Sequence, residues 1–413
     1  MTNRERRKSS LNAINKYGKN TADIVGALSE LKSLYTTDML SWMGSLFDTR
    51  LGGFYYSLSA KQSEGYLPDI ESTYQVLAIL KELGVISKFE DIPELLRQKI
   101  AAFTCSLEDE KNGYFYHPQW SKELTNMYVS RKERDLNSAI ALSRWLGFNL
   151  PYPSATNRIT SMTAISKDMS EVSKFEEELK SFYLEFDNCE VRSEALYSLF
   201  IRSKWISALG YDDDIIRFFE EKQNAQTGIW VEPTGLDSVY TSYVISNFYN
   251  SLGRKIPNAY NAAKTLTGIC FSGFSENVDL NSICCVHHIW GALGNILKNI
   301  RANESGNCGE EEKEIVSVIL DMAPQLIRET KEYLERFKKS TGGFSYFSDH
   351  SSITSQGLPA TPIDTVTGDV NATCVAVAAI VDVYEVLGVK GQEMKIFTTL
   401  DFNKFLSTID LTN

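Results

Sequence analysis

The sequence predicts an all-α fold, an (α/α)6 toroid of helical hairpins with short hairpin-like strands confined to loops. Three observations carry this expectation. A Gly-x-aromatic mark recurs as "GGF" at 52–54, "GYF" at 113–115, "GIW" at 228–230 and "GGF" at 342–344, with "SGFSE" at 272–276 as a weaker copy. A mark repeated at that scale signals one supersecondary unit used several times. Six apolar stretches alternate with amphipathic ones, and runs of period-2 alternation are few, so little of the chain suits a sheet.

Taken in order, the chain begins "MTNRERRKSSLNAINKYGKN". This basic start leads into no apolar core, so residues 1–20 read as a frayed segment rather than a secretory signal. One domain is expected over 21–413, because no Pro- or Ser-rich linker divides it. Before three of the marks lies an amphipathic stretch whose aromatic sits twelve residues upstream: Trp42 with Phe54, Phe103 with Phe115 and Phe218 with Trp230. After each mark come a polar loop and a more apolar helix. These second helices are expected at 71–84, 135–147, 191–210, 236–253, 279–298 and 369–388. Five of the six close on Leu-Gly or an equivalent glycine, the expected C-terminal stop. The stretch 369–388 is apolar nearly all round and belongs inside; 92–107 and 313–339 are charged on one face and belong outside. "RANESGNCGEEEK" (301–313) reads as an exposed loop.

The 413 residues are 43% hydrophobic and 23% charged, an ordinary globular composition with material for a large core. A net charge of −11 argues against nucleic acid, which needs a basic face. No run approaches the roughly 18–20 apolar residues that span a bilayer. Seven scattered cysteines without a CxxC pair fit a reducing cytoplasm. Oligomeric state is open.

"RFFEEKQNAQTGIW" (217–230) resembles the QW repeat of terpenoid cyclases, and "GGFYYSLSAKQSEGYLPDIESTYQVLAILKELG" (52–84) is similar to the repeat unit of the terpenoid cyclase and protein prenyltransferase superfamily. The second stretch also resembles the α/α barrels of sugar 2-epimerases and related glycosidases. The resemblance spans most of 40–390 as architecture and implies a toroid; it implies no single activity, since one fold hosts many chemistries.

A toroid gathers the N-termini of its inner helices at one mouth. Three of the expected helices open with Asp, an aliphatic residue and Asn: "DLNSA" at 135, "DLNSI" at 279 and "DVNAT" at 369. An Asp there caps the helix and meets its positive end. Capping accounts for Asp135, Asp279 and Asp369 but not for Asn137, Asn281 and Asn371, which either lock one helix start to the next or contact a ligand. Glu71, Tyr74, Tyr240, His117 and Trp120 fall on or near the same rim. Carboxyl pairs with aromatic platforms are what a sugar site needs. The expectation is a carbohydrate-active enzyme, a hydrolase or lyase on an oligosaccharide. Acid–base work would come from Asp135, Asp279, Asp369 and Glu71, with His117, Arg134 and His350 positioning or sharing protons and Tyr74, Trp120 and Tyr240 stacking. Two alternatives stand beside it: an isoprenoid cyclase or prenyltransferase-like enzyme, and a non-catalytic toroid that binds a glycan or peptide.

"YDDDIIRFF" (211–219) is close to the acid motif of class II terpene cyclases, but its three Asp residues open an outer helix, where they complement the dipole. The Asp-Asp-x-x-Asp diphosphate motif is absent. No cofactor is expected. The one metal alternative is zinc on Cys284, His288 and Cys374 with water in the fourth position, against which these residues read as packing. The long segment 342–371 reads as a lid or rim wall. Gly-rich phosphate loops, Ser nucleophile elbows and HExxH are absent.

Overall fold

The computed structural model describes residues 21–157, 169–233, 235–273, 282–303, 309–389 and 395–410. The chain is all-α. Among the described residues the one sheet is an antiparallel pair of two-residue strands, Thr354–Ser355 and Leu358–Pro359, within the long final loop.

Six helices form a closed cycle of contacts: Ile70–Glu82, Val129–Leu146, Cys189–Ile201, Gly235–Ser251, Cys284–Asn303 and Val370–Val386. Each packs on the next, and the last packs on the first. We number these ring helices one to six. Other helices back them: Glu94–Ser106 lies on ring helix two, Met169–Glu185 on three, and Ala259–Gly273 on five. The 26-residue helix Glu310–Glu335 packs along Thr21–Lys32, so late and early parts of the chain meet on the outside as well.

The glycine marks explain the repeat. In three of them an Asx residue lies four positions before the first glycine and folds the turn. Asp48 Oδ1 accepts the N–H groups of Arg50 and Leu51, Asp109 Oδ1 those of Lys111 and Asn112, and Asn224 Oδ1 those of Gln226 and Thr227. Gly52 has φ +90°, and a Cβ there would lie 2.4 Å from the carbonyl oxygen of Lys99 on the next outer helix. Gly342 has φ +109°, and its Cβ would lie 2.7 Å from the carbonyl oxygen of Asp38 on Asp38–Ser45. The last mark therefore seats on an early helix as the first mark seats on its successor. The upstream aromatics cover the preceding mark: Phe103 lies on Gly53, and Trp42 lies on Gly343.

Ring helices one and six start alike. Asp69 caps the first by accepting Ser72 N–H at 2.8 Å, and Asp369 caps the sixth by accepting Ala372 N–H at 2.7 Å. Thr73 and Thr373 each donate to the carbonyl of their capping Asp and accept an N–H from the mark, Phe54 and Phe344 respectively, at 3.0 Å. The two repeats also interlock, since Val370 N–H donates to Tyr56 O.

Several boundaries differ from the sequence expectation. Ring helix two begins at Val129, not 135, because "SRKE" (130–133) is buried, Arg131 against carboxylates and Lys132 and Glu133 against Tyr114, and so belongs to the core despite its polarity. Ring helix three stops at Ile201, and a separate short helix, Ser203–Leu209, follows Arg202. Ring helix five begins at Cys284; Asp279 and Asn281 lie outside the described residues. Of the expected 301–313 loop, 301–303 and 310–313 are helical, and 304–308 lie outside the described residues. Among the described residues no helix is long and apolar enough to cross a membrane.

Gly52→Ala and Gly147→Ala separate backbone strain from close approach. Both residues have positive φ, but Gly147 (+72°) has open space around it. Urea unfolding is expected to show a loss of about 1–2 kcal/mol for Gly147→Ala. For Gly52→Ala a further 1–3 kcal/mol, roughly, is expected from overlap. Equal losses would contradict the seating of the mark on the next helix.

Candidate functional site

The site is built on one guanidinium. Arg131, in the first turn of ring helix two, is fully buried. Its Nε donates to Asp135 Oδ2 at 2.9 Å, and its Nη2 to Asp69 Oδ1 at 2.9 Å and Asp135 Oδ1 at 3.0 Å. Its Nη1 lies 3.2 Å from Glu71 Oε2. The planar group sits over Trp120, 4.7 Å from the ring centroid, and Trp120 Nε1 donates to Pro359 O in the final loop. His117 lies edge-on to Trp120, with Nε2 3.3 Å from Asp135 Oδ2.

One turn on, Arg134 pairs with Glu71 and donates to Asn371 Oδ1 at 3.1 Å. Gln75 Nε2 reaches both Asn371 Oδ1, at 2.9 Å, and Glu71 Oε1, at 3.2 Å. Ring helices one, two and six are thus tied through side chains near their starts. Burial would raise Asp135, but Arg131 and His117 outweigh it and hold the carboxyl at about 2. Burial raises Glu71, with the guanidiniums of Arg134 and Arg131 on its oxygens pulling the other way. Asp369 has no such cation in contact, and burial pushes it up to about 7 against the N–H groups it accepts.

Above this frame opens a chamber of about 820 Å³. All six ring helices line it, each from within its first nine residues, so it lies where their N-termini meet. Its rings are Tyr74, Tyr197, Tyr240, Tyr243, Tyr346 and Phe347. Its formal charges are Arg134, Glu194 and Asp237, and Asp237 is taken up by Arg192 at 3.0 Å. A second hollow, about 460 Å³, lies between Met169–Glu185 and Asp212–Lys222 and draws on no ring helix.

The chamber wall also carries two adjacent histidines. His287 Nδ1 is 2.8 Å from Asp382 Oδ2, and its ring meets Tyr243 edge-on at 4.8 Å. Gly291 makes room for this contact: a Cβ there would stand 2.6 Å from Tyr243 Cε2 and 3.3 Å from Asp382 Oδ2. His288 stacks on Tyr243 at 5.1 Å, and burial, helped by His287, holds it well below its usual range, hence neutral.

The expected site residues divide. Tyr74, Arg134, Tyr240 and Asn371 line the chamber. Glu71 stands behind Arg134. Asp135, Asp369 and His117 are buried and face no open space; Asp135 is no helix cap, because its helix starts six residues earlier. Trp120 is the platform for Arg131, not for a ligand. Asn137 Nδ2 donates to Ile201 O, locking ring helix two to three, and Asn371 locks and lines at once. His350 is exposed beside Asp349 and stacks on Phe347. The 342–371 segment does supply rim wall, through Tyr346, Phe347 and Gln356. Cys284, His288 and Cys374 all line the chamber, but among the described residues no three His, Cys, Asp or Glu side chains are grouped to hold a metal ion.

Sequence reasoning missed Tyr197, Tyr243, Gln75, His287 and Asp382. The i, i+4 pairs Arg131–Asp135 and Glu71–Gln75 were legible as helix-face neighbours. The contact between His287 and Asp382, 95 residues apart, left no local signal. Compared with known protein families, curated proteins and solved structures, the chain matches none.

Two variants test the frame. Arg131→Met leaves Asp69 and Asp135 buried without their guanidinium, while Glu71 keeps Arg134, and is expected to cost about 3–5 kcal/mol in urea unfolding; a loss under about 1 kcal/mol would contradict the role given to Arg131. Asp369 titrates the other way from Asp135. Below its unfolded pKa of about 3.9 it is protonated in both states; between there and about 7 only the folded chain keeps the proton, so stability falls as pH rises through that window. Asp369→Asn, an equally good cap, is expected to flatten that fall when urea midpoints are measured from pH 4 to 8. An unchanged slope would refute it.

Proposed function

We propose that the chain is a carbohydrate-active enzyme, built as an α/α toroid, that binds an oligosaccharide in the chamber at its ring-helix N-termini and acts on it by proton transfer. The observation that carries this reading is His287 on the chamber wall with Asp382 behind it. A carboxylate on Nδ1 fixes the tautomer and leaves Nε2 as the basic nitrogen. Neutral His288 and the hydroxyl of Tyr243 are the neighbouring groups able to pass a proton onward. Tyrosine faces and the amides of Gln75 and Asn371 supply the stacking and hydrogen bonding a sugar ring needs.

The pair supplies a general base, Nε2, for the proton of a hydroxyl or a water; elimination would need a C–H made acidic by a carboxyl group, which neutral and amino sugars lack. Glycoside hydrolysis calls for two carboxyl groups facing one bond. Here Glu71, Asp135 and Asp369 spend their oxygens on buried partners. A second reading, an isoprenoid cyclase, draws on the aromatic wall, which would suit a carbocation. Against it, the one guanidinium among the described chamber residues is already paired with Glu71 and offers little to a diphosphate.

The test pairs ligand binding with turnover. Neutral oligosaccharides are expected to raise the melting temperature, and Tyr240→Ala to remove that rise. His287→Gln is expected to keep the rise while lowering turnover by about 10²–10⁴-fold. A rise with an isoprenoid diphosphate and none with sugars would overturn the reading. Unchanged turnover in His287→Gln would overturn the role of the pair.

A further inference from the structure

The chamber's charges do not balance. Arg134 is matched by Glu71 and Asp237 by Arg192. Among the described residues, Glu194 has no cation on it; Ser130 Oγ, at 3.5 Å, is its one hydrogen-bond contact. Behind the wall, among the described residues, Asp382 has His287 on it and no lysine or arginine. Helix N-termini carry partial positive charge, but the effect fades within a turn. Four of the six are met by acidic caps or first-turn residues, Asp69, Asp369, Glu190 and Asp237.

An independent observation points to a ligand that donates a hydrogen bond here. Gln75, on the wall and only 5% exposed, has an Oε1 that accepts no hydrogen bond. Its orientation is not in question, because Nε2 is held by two acceptors, Glu71 Oε1 and Asn371 Oδ1. A buried acceptor left open costs free energy until a donor arrives. The tyrosine rings of the same wall present electron-rich faces, and Tyr197 already has a guanidinium, that of Arg134, 5.9 Å from its centroid.

We infer that the chamber's ligand carries a protonated amine, recognised by the unpaired Glu194 carboxylate, the open Gln75 acceptor and tyrosine ring faces; resting on the sugar reading above, it is an amino sugar. The charge is what distinguishes this ligand from a neutral oligosaccharide of the same shape.

The experiment is calorimetric titration of the full chain with three probes: glucosamine oligomers, N-acetylglucosamine oligomers of equal length, and tetramethylammonium. Glucosamine oligomers are expected to bind at least about tenfold more tightly than the acetylated series, the scale of one charge-assisted contact. Glu194→Gln, at an exposed position that leaves the fold alone, is expected to erase that difference. Equal affinity for the two sugar series would overturn the inference while leaving the sugar reading in place. Binding of tetramethylammonium with no binding of either sugar would uphold the cationic site and sink the sugar reading. No binding of any probe would overturn both.

Discussion

A guanidinium taken wholly out of water must be matched, and the match at Arg131 organises the molecule around it. Desolvating such a charge costs several kcal/mol, which only close pairing with opposite charge offsets. Three carboxylates supply this, one of them the cap of ring helix one, one a turn further along ring helix two. Because Asp69 and Glu71 belong to the start of ring helix one and Asp135 to ring helix two, satisfying Arg131 sets how those two helices meet. Through Glu71, Arg134 and Asn371 the same network reaches ring helix six. The wall of the chamber inherits that rigidity: Tyr74, Gln75 and Arg134 leave the frame at the level where the cavity opens.

The glycine marks do the complementary work on the outside. They let backbone approach backbone where a side chain would collide, and the same contact that seats the first mark on its successor seats the last mark on an early helix. A cycle closed by repeated contacts needs no special closing element. It does need both ends of the chain to carry compatible surfaces, which the twin Asp–Thr starts of ring helices one and six provide.

Much of this was legible in the sequence. The all-α class and the six apolar helices followed from the marks and from apolar runs of helical length, and Asp369 was read correctly as a cap. The reading failed where charge is buried. "RKERD" (131–135) looks like a solvated approach to a helix, and only its tertiary partners make it the core of one. That error moved Asp135 and His117 from the protein interior to an imagined rim. Pattern alone could place Tyr74, Arg134, Tyr240 and Asn371 near a mouth, because periodicity fixes faces. It could not join His287 to Asp382, a contact made by the packing of ring helix five on six.

The central claim is that the convergence of six helix starts is the place where this protein meets its ligand. Hydrogen–deuterium exchange of the full chain, with and without a saturating amino-sugar oligomer, tests it most directly. The account predicts protection arising together in 74–75, 193–197, 237–243, 284–288 and 371–378, segments far apart in sequence that share one wall. Protection confined to 176–221, around the outer hollow, or no protection at all, would contradict it.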